Sequence, residues 1–294
     1  MSKNAKFNLI LVFIVCLLCA IMCTSALADE VDDSLNYKEV PVYVDGLLSC
    51  RGYVINDNTY VSLETMCGVL GYESKASYDK SSETLTIKID DISVTVNKND
   101  RFMYANGRCL FLPDGYVEID GRTVFPIEAV ARIFTLEVKD GKLKDTYNLS
   151  SDNEKLLESG DEFYGEEDLY WLSRVITWES GNQVLEGQVS VGDVVLNRCK
   201  SDIYPDTVKD VIFDTTQFSV VATGAIYMDP WPLSVVAAKL ALEGYNFIGE
   251  AMYFMSTTLD ESESIEELGI KIWDEHLFYV DVIAPDVLAP LTLD

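Results

Sequence analysis

The sequence has little imidazole and little positive charge. Its 294 residues include one histidine, His276, and 22 lysines and arginines against 49 aspartates and glutamates, which gives a net charge of −27. Nucleic-acid binding needs basic surface, so this balance excludes nucleic acid as a partner. Attachment to anionic membranes or wall polymers by charge alone is disfavoured for the same reason, whereas a neutral sugar is a compatible ligand.

The chain also lacks the cysteine and histidine spacings of a metal centre. Three of its seven cysteines precede residue 28, and the others are Cys50, Cys67, Cys109 and Cys199. These four contain no CxxC pair, so we expect no metal and no cofactor. In an oxidising compartment they could form two disulfides, but their irregular spacing favours free or buried thiols.

The one long apolar run of the chain is N-terminal. Residues 9–22 are apolar, two lysines precede them, and an Ala-x-Ala triplet ends at Ala28. This is the pattern of a secretory signal. A retained membrane anchor is the alternative, but the run is shorter than the roughly 20 residues that a spanning helix needs. We predict a signal peptide over residues 1–28 and a secreted, extracellular protein with no stable membrane anchor after cleavage.

Residues 37–149 are predicted to form short strands broken by turns. Alternating apolar runs flank Asp45-Gly46 and, further along, Asp90-Asp91. Such dipeptides between alternating runs are hairpin signals. We therefore expect strands to dominate this region.

A segment of this region occurs twice. TYVSLETMCGVLGYE begins at Thr59 and TVFPIEAVARIFTLE begins at Thr123, with glutamates at the same two positions of both copies. This repetition indicates a duplicated module. Each copy is predicted as the end of a strand, an amphipathic helix of about two to three turns, and a further strand.

The repeated pattern resembles the copper amine oxidase N-terminal-like domain, a module of secreted bacterial proteins. The resemblance implies an accessory role at the cell surface or wall. It does not imply oxidase activity, because copper amine oxidase chemistry needs several imidazole ligands and the chain has only His276. We expect no copper.

Residues 150–167 are acidic and carry serine and glycine, which is typical of a solvated interdomain linker. The second domain is therefore predicted over 168–294. It opens with DLYWLSRVITWESGNQ, where Leu172, Ile176 and Glu179 follow the i, i+4, i+7 spacing of one helix face.

Glu179 is the first candidate for chemistry. Its place on the apolar stripe predicts a half-buried carboxyl, and Gly181 is a predicted helix stop that would put this carboxyl in the last turn, open to a cleft. Burial raises a carboxyl pKa, and a protonated carboxyl can donate a proton to a glycosidic oxygen. From the spacing alone, a solvated glutamate that closes an amphipathic helix is the alternative.

Further blocks follow in a fixed order: GQVSVGDVVLNRCKSDIYPDTVKDVIFDTTQFSVV, SVVAAKLALEGY, AMYFMS and HLFY. Over residues 169–279 they resemble the cell wall hydrolase family that includes the spore-cortex-lytic enzymes. The resemblance implies a mainly α, lysozyme-like transglycosylase domain with short β-hairpins and Glu179 as the catalytic acid. With the duplicated α+β repeat domain before it, the chain is predicted to be an α+β protein.

The resemblance also implies a substrate cleft. The family commonly has a second glutamate where this sequence has Gln183. We interpret Gln183 as a sugar-binding amide, and reduced or altered activity is the alternative. The Gln217 block lines the cleft in the family, so Gln217 is expected to bond sugar groups, with Phe218 as ring platform or core plug and Ser219 beside it.

Three aromatic side chains complete the predicted substrate-binding set. Tyr253 and Tyr279 lie on short strand-like runs, where alternate residues face the core and the cleft. His276 is expected to be a structural or substrate-orienting residue, because no activated serine or cysteine accompanies it.

Two later segments are predicted as scaffold. A helix over 187–200 ends at Asn197-Arg198, which either satisfy nearby loop carbonyls or contact sugar. The alanine-rich run 234–245 is predicted as a helix capped by Ser234.

The number of candidate catalytic carboxylates distinguishes hydrolysis from transglycosylation. An ordinary glycosidase needs two carboxylates flanking the bond, but none of Glu186, Asp193, Asp214 and Asp229 is singled out by position, and Asp193 is expected to face solvent. A lytic transglycosylase needs one, so transglycosylation between N-acetylmuramic acid and N-acetylglucosamine is preferred to muramidase-type hydrolysis.

The predicted partner is therefore the glycan strand of peptidoglycan, in the cell wall or spore cortex, acted on by a monomer. Gln183 motivates a hypothesis of another class, a non-catalytic peptidoglycan-binding surface protein. It predicts a cleft without turnover.

Overall fold

The computed structural model describes residues 35–140, 146–214, 218–257 and 270–280. The predicted signal peptide and Gln217 lie outside the described residues. Sheets and helices both contribute to the described part, so the mixed α+β class is confirmed in that coarse form.

The first part of the chain is built mainly of strands. The strands of the described residues before 151 are β1 (Lys38–Val44), β2 (Leu47–Ile55), β3 (Asn58–Ser62), β4 (Ser74–Asp79), β5 (Thr84–Ile89), β6 (Ile92–Asn97), β7 (Phe102–Ala105), β8 (Arg108–Phe111), β9 (Val117–Ile119), β10 (Arg122–Pro126), β11 (Glu137–Asp140) and β12 (Tyr147–Ser150).

These strands form two sheets. A seven-stranded sheet has the order β11-β12-β1-β2-β3-β10-β9, and in it only β1 and β12 pair in parallel. A five-stranded antiparallel meander has the order β4-β5-β6-β7-β8. Alternate side chains of the meander, such as Ile87, Val94 and Met103, enter the main apolar core. Its other face is left for polar residues and for contact with the helices.

Two helices accompany the sheets, α1 (Leu63–Leu70) and α2 (Ile127–Ile133). Each follows directly on a strand, and those strands, β3 and β10, are antiparallel neighbours. Both segments of the predicted repeat thus run strand, helix, strand. At the first, the Ser62 hydroxyl accepts a hydrogen bond from the Thr65 amide at 3.2 Å and caps α1.

The second part of the chain is mainly helical, as predicted. Its helices are α3 (Gly160–Phe163), α4 (Glu166–Ser180), α5 (Leu185–Cys199), α6 (Val208–Phe213), α7 (Ser219–Thr223) and α8 (Pro232–Leu242), with a 3-10 turn at Ala225–Tyr227. A small antiparallel sheet of order β13-β15-β14 consists of β13 (Tyr253–Ser256), β14 (Lys271–Trp273) and β15 (His276–Tyr279). Helices α4, α5 and α8 pack on one another around an apolar core.

Two further features concern the cysteines and the lengths of the helices in the described residues. Cys50, Cys67, Cys109 and Cys199 are free thiols, as their spacing predicted. Within the described ranges, no helix has both the length and the apolar character required to cross a bilayer.

The prediction that Ser234 caps the alanine-rich helix is wrong. Helix α8 begins at Pro232, with Trp231 at the N-cap position. Proline suits the first helical position because its missing N–H would have no partner there. Ser234 is fully buried instead, and its hydroxyl donates to Oε1 of Gln188 at 2.8 Å.

The prediction of a solvated linker is also wrong for part of the segment 150–167. Its acidic residues Asp161 and Glu162 are exposed, but Leu157 and Tyr164 are buried. The amide of Gly160 donates to the carbonyl of Asn106 at 2.8 Å. Apolar side chains between the acidic ones therefore dock this segment on the sheets.

A buried ion pair joins the meander sheet to the helices. Arg108 of β8 donates two hydrogen bonds to the Glu243 carboxylate, at 2.5 and 2.7 Å. The Tyr164 hydroxyl donates to the same carboxylate at 2.6 Å and accepts from the Cys109 amide at 2.8 Å. Arg132 donates to the Glu243 carbonyl at 3.0 Å. Sheet, connecting segment and helix α8 thus share one polar network.

We expect Arg108→Ala to destabilise the protein by about 3–5 kcal/mol, because it would leave the Glu243 carboxylate buried without its main counter-charge. Urea unfolding of wild type and variant measures the difference. The control is Arg51→Ala, which removes the exposed Arg51–Glu39 pair and should have little effect. Equal effects of the two substitutions would contradict the assigned role.

Candidate functional site

Glu179 lies in the last turn of α4, where its carboxyl group is half-buried. Its Oε1 atom is buried and has no hydrogen-bond partner. Burial raises the pKa of this carboxyl from 4.5 to about 7, and no charged group of the described residues contributes to the shift. The fold thus keeps a carboxylic acid partly protonated near neutral pH, as the helix position predicted.

The turn after Glu179 is shaped by glycine. Helix α4 ends at Ser180 and Gly181 takes the C-cap position, as predicted. Its φ of −59° is accessible to any residue, so backbone conformation does not explain the glycine. The explanation is the lack of room for a side chain. A Cβ at Gly181 would collide with the Thr177 carbonyl and lie 3.0 Å from Cε3 of Trp231. The Trp231 ring therefore lies against the turn that follows Glu179.

Gln183 and His276 form a buried pair beyond that turn. Their side chains are 6% and 7% exposed, and Nε2 of Gln183 lies 2.6 Å from Nδ1 of His276. An amide nitrogen only donates, so Nδ1 is the acceptor and the imidazole proton lies on Nε2. Burial lowers the pKa of His276 to about 4, which keeps the ring neutral. Oε1 of Gln183 is buried without a partner.

Aromatic contacts extend this pair into a row. The His276 ring is 5.1 Å from that of Phe254, which is 6.4 Å from Phe218. On the opposite face of the same strand pair, the rings of Tyr253 and Tyr279 stack at 5.4 Å and 18°. Phe218 is 6% exposed, so of its two predicted roles it has that of a core plug, whereas the two tyrosines are only half-buried.

The structure thus joins three of the predicted site residues, Gln183, His276 and Phe218, in this row, and it pairs Tyr253 with Tyr279 on the opposite face of the same strands. Ser219 is exposed at the start of α7, next to Phe218. Glu179 is connected to the row by the backbone, because it precedes Gln183 by four residues. No contact places Gln217, which lies outside the described residues.

Arg198 is buried at the other end of α5, within an aromatic cluster. Its Cζ is 5.1, 5.4 and 5.8 Å from the ring centres of Tyr204, Phe218 and Tyr253. Nε donates to the Met252 carbonyl at 2.8 Å, and Nη1 is buried without a partner. A cation is therefore held beside both Phe218 of the row and Tyr253 of the tyrosine pair.

Of the two interpretations of Asn197 and Arg198, the one that has them satisfy loop carbonyls is confirmed. Nδ2 of Asn197 donates to the carbonyls of Gly249 and Ala251, at 2.8 and 2.9 Å. With the Arg198 bond, the pair fixes the segment that leads into β13. The aromatic neighbours of Arg198 were not predicted, because they come from distant segments of the chain.

Two of the possible second carboxylates have cationic partners. Glu186 is buried and forms an ion pair with Arg101, which directly precedes β7. Asp229 is fully exposed and lies 3.4 Å from Nη2 of Arg174. Neither contributes to the pKa of Glu179.

The expectation that Asp193 faces solvent is wrong. It is 3% exposed, and it accepts a hydrogen bond from the Phe247 amide at 3.3 Å. Burial raises its pKa to about 8. Asp214 is half-buried and acts electrostatically on Arg198 rather than on Glu179. Glu179 is therefore electrostatically isolated from these carboxylates.

Two family models match the chain. Residues 47–148 match the copper amine oxidase N-terminal domain, and residues 182–279 match the family described as Cell Wall Hydrolase. The second match begins three residues after Glu179. The chain therefore carries a domain of the cell wall hydrolase family, preceded by a copper amine oxidase N-terminal-like domain.

Curated relatives resemble the second domain. The spore cortex-lytic enzyme of Oceanobacillus iheyensis is 34% identical over 93 residues, which are 32% of this chain and 34% of that protein. That of Bacillus cereus is 33% identical over 116 residues, 39% of this chain and 45% of that protein. The chain thus spans less than half the length of these relatives.

Solved structures of two catalytic domains are similar to the same region. One of them is the catalytic domain of the germination-specific lytic transglycosylase SleB from Bacillus anthracis. The sequences are 31% identical, and the match covers 40% of this chain and 96% of that chain, with a TM-score of 0.35.

The isolated carboxyl makes a prediction about stability. Between pH 4.5 and about 7 the folded state binds the Glu179 proton and the unfolded state does not, so wild type loses stability as pH rises through this window. Glu179→Gln does not titrate. We compare the free energies of unfolding of the variant and of wild type at each pH. The variant minus wild-type difference should increase by up to about 3 kcal/mol between pH 4.5 and about pH 8. Urea unfolding measures it, and a difference that does not change with pH would contradict the burial of this carboxyl.

The Gln183–His276 pair makes a second prediction. Gln183→Glu would put a carboxylate beside Nδ1, stabilise the imidazolium and raise the His276 pKa from about 4 by at least about one unit. As the only histidine, His276 gives one NMR titration curve. Gln183→Met is the uncharged control and should leave the pKa low. A Glu variant that titrates like wild type would refute the contact.

Proposed function

We propose that this protein cleaves the glycan strands of peptidoglycan as a lytic transglycosylase, between N-acetylmuramic acid and N-acetylglucosamine. The observation that carries the proposal is the Glu179 carboxyl, half-buried, with a pKa raised to about 7 and one oxygen without a partner. The cell wall hydrolase domain and its spore cortex-lytic relatives support the substrate class.

In the first step Glu179 acts as general acid. Its proton passes to the glycosidic oxygen as the bond from that oxygen to C1 of N-acetylmuramic acid breaks. The leaving N-acetylglucosamine keeps the bonding electron pair and the proton. Positive charge develops at C1, close to the new carboxylate.

In the second step the same residue acts as general base. The Glu179 carboxylate accepts the proton of the 6-hydroxyl of that N-acetylmuramic acid while the oxygen forms a bond to C1. The product is a 1,6-anhydromuramoyl end, no water is consumed, and Glu179 is again protonated. A single carboxyl group completes this cycle.

The electrostatic isolation of Glu179 favours this reaction over hydrolysis. A two-carboxylate mechanism needs a second acid or base about 5–9.5 Å from the first. Of the candidate carboxylates, all of which lie in the described part of the chain, Glu186 and Asp229 have arginine partners, Asp193 is bonded to a backbone amide, and Asp214 acts on Arg198. None of these acts on the pKa of Glu179.

We assign the remaining site residues to substrate positioning. The half-buried Tyr253–Tyr279 stack offers aromatic surface to a sugar ring. Ser219, exposed at the start of α7, and Gln217 would bond sugar hydroxyl or acetamido groups. The neutral Gln183–His276 pair holds β15 against the start of α5 and so shapes the cleft.

The cellular setting belongs to the proposal as well. We propose export by the signal peptide over residues 1–28, followed by action as a monomer on wall or cortex peptidoglycan. Parallel digestion of vegetative wall and spore cortex identifies the substrate.

Glu179→Gln tests the proposal. Removing the only general acid/base should lower peptidoglycan cleavage at least about 100-fold, measured as release of soluble products, while binding to insoluble peptidoglycan persists. Glu166→Gln, an exposed glutamate of the same helix, is the matched control and should keep wild-type activity.

Mass analysis of the wild-type products should give anhydromuramoyl ends. Reducing ends would show a hydrolase. Binding without any cleavage by wild type would favour the non-catalytic peptidoglycan-binding protein that Gln183 suggests.

A further inference from the structure

A groove of about 410 Å³ lies between the meander sheet and the first turn of α8. Thr95 and Asn97 of β6 and the rings of Phe102 and Tyr104 on β7 form its sheet wall. Leu233 of α8, which is 39% exposed, stands on the opposite wall. The groove is therefore built jointly by the two family domains.

The lining has the chemistry of a carbohydrate site. The rings of Phe102 and Tyr104 are half-buried and meet edge to face at 5.7 Å, so apolar aromatic surface remains open to the groove. Thr95 and Asn97 supply small neutral donors and acceptors. The one charged lining residue is Asp100, which disfavours anions. The volume falls within the roughly 300–1,000 Å³ of small-ligand sites.

Trp231 lies against the turn after Glu179 in space and adjoins Pro232, a lining residue of the groove, in the chain. Trp231 directly precedes the first turn of α8, and its side chain is 48% exposed. The same indole approaches the turn at Gly181, two residues after Glu179. An exposed aromatic surface thus connects the end of the groove with the end of α4 that carries the carboxyl.

The two walls are held in a fixed relation. The buried Arg108–Glu243 pair ties β8 to the end of α8. Nζ of Lys239, on α8, lies 5.4 Å from the ring centre of Tyr104 and 4.9 Å from that of Tyr164. A ligand between these walls would meet a preformed site, which reduces the ordering cost of binding.

We propose that this groove is a second glycan-binding site, which holds the continuation of the strand that is cut at Glu179. This inference rests on the proposed function for the identity of the strand. It gives the copper amine oxidase N-terminal-like domain a direct role, because its sheet would extend the substrate cleft of the hydrolase domain and favour long strands over short ones.

The test measures how binding affinity depends on the length of the glycan strand. All proteins also carry Glu179→Gln, so that they do not cleave the ligand during the measurement. The probes are a peptidoglycan tetrasaccharide and long peptide-free glycan strands. Asn97→Trp should fill the groove from the sheet and Leu233→Arg from the helix. Ser93→Trp is the matched control, because Ser93 is exposed on the same strand and sheet face but lies outside the groove. Thermal unfolding confirms that each variant is folded.

We expect both groove variants to bind long strands at least about tenfold more weakly than the control, with tetrasaccharide affinity unchanged. If folded Asn97→Trp and Leu233→Arg bind long strands as tightly as Ser93→Trp, the groove proposal is overturned. The failure of the proposed function gives a different result, since wild type would then release no product from peptidoglycan whatever the groove variants bind.

Discussion

The buried ion pair between Arg108 and Glu243 is the interaction on which the arrangement of the two domains depends. Both charges are almost completely buried, so each needs the other as its main partner, and Tyr164 completes the hydrogen bonding. Its geometry sets β8 against α8, and through this contact one face of the meander sheet becomes part of the hydrolase surface. The accessory domain is therefore integral to the fold rather than a tethered appendage.

Glu179 shows the opposite arrangement, burial without compensation. Its carboxyl group is half-buried at the end of α4, and no cation within the described ranges offsets the desolvation. This costs stability wherever the group is ionised. Such a cost is typical of active-site groups, in which a perturbed pKa serves proton transfer. Among the described residues, neither the neutral His276 nor the paired Glu186 contributes to the pKa of this acid.

Local features were predictable from the sequence, and features made by distant segments were not. The Asp45-Gly46 turn has positive φ angles of 51° and 76°, as its dipeptide predicts, and the stripe of α4 predicts the burial of Glu179. Ser234 was predicted as a cap because the local sequence does not reveal its contact with Gln188. That contact joins two helices and buries the serine. The Gln183–His276 bond joins residues 93 apart, so only the tertiary fold reveals that this glutamine has an internal partner.

The central claim is that Glu179 donates the proton that breaks the glycosidic bond. The most direct measurement is the pH dependence of kcat/KM for wild type on soluble glycan strands. Because the acid form is the active one and burial raises its pKa to about 7, the account predicts that kcat/KM falls as pH rises through this value, by about tenfold per pH unit at higher pH. A rate that stays constant or rises across the same range would contradict it.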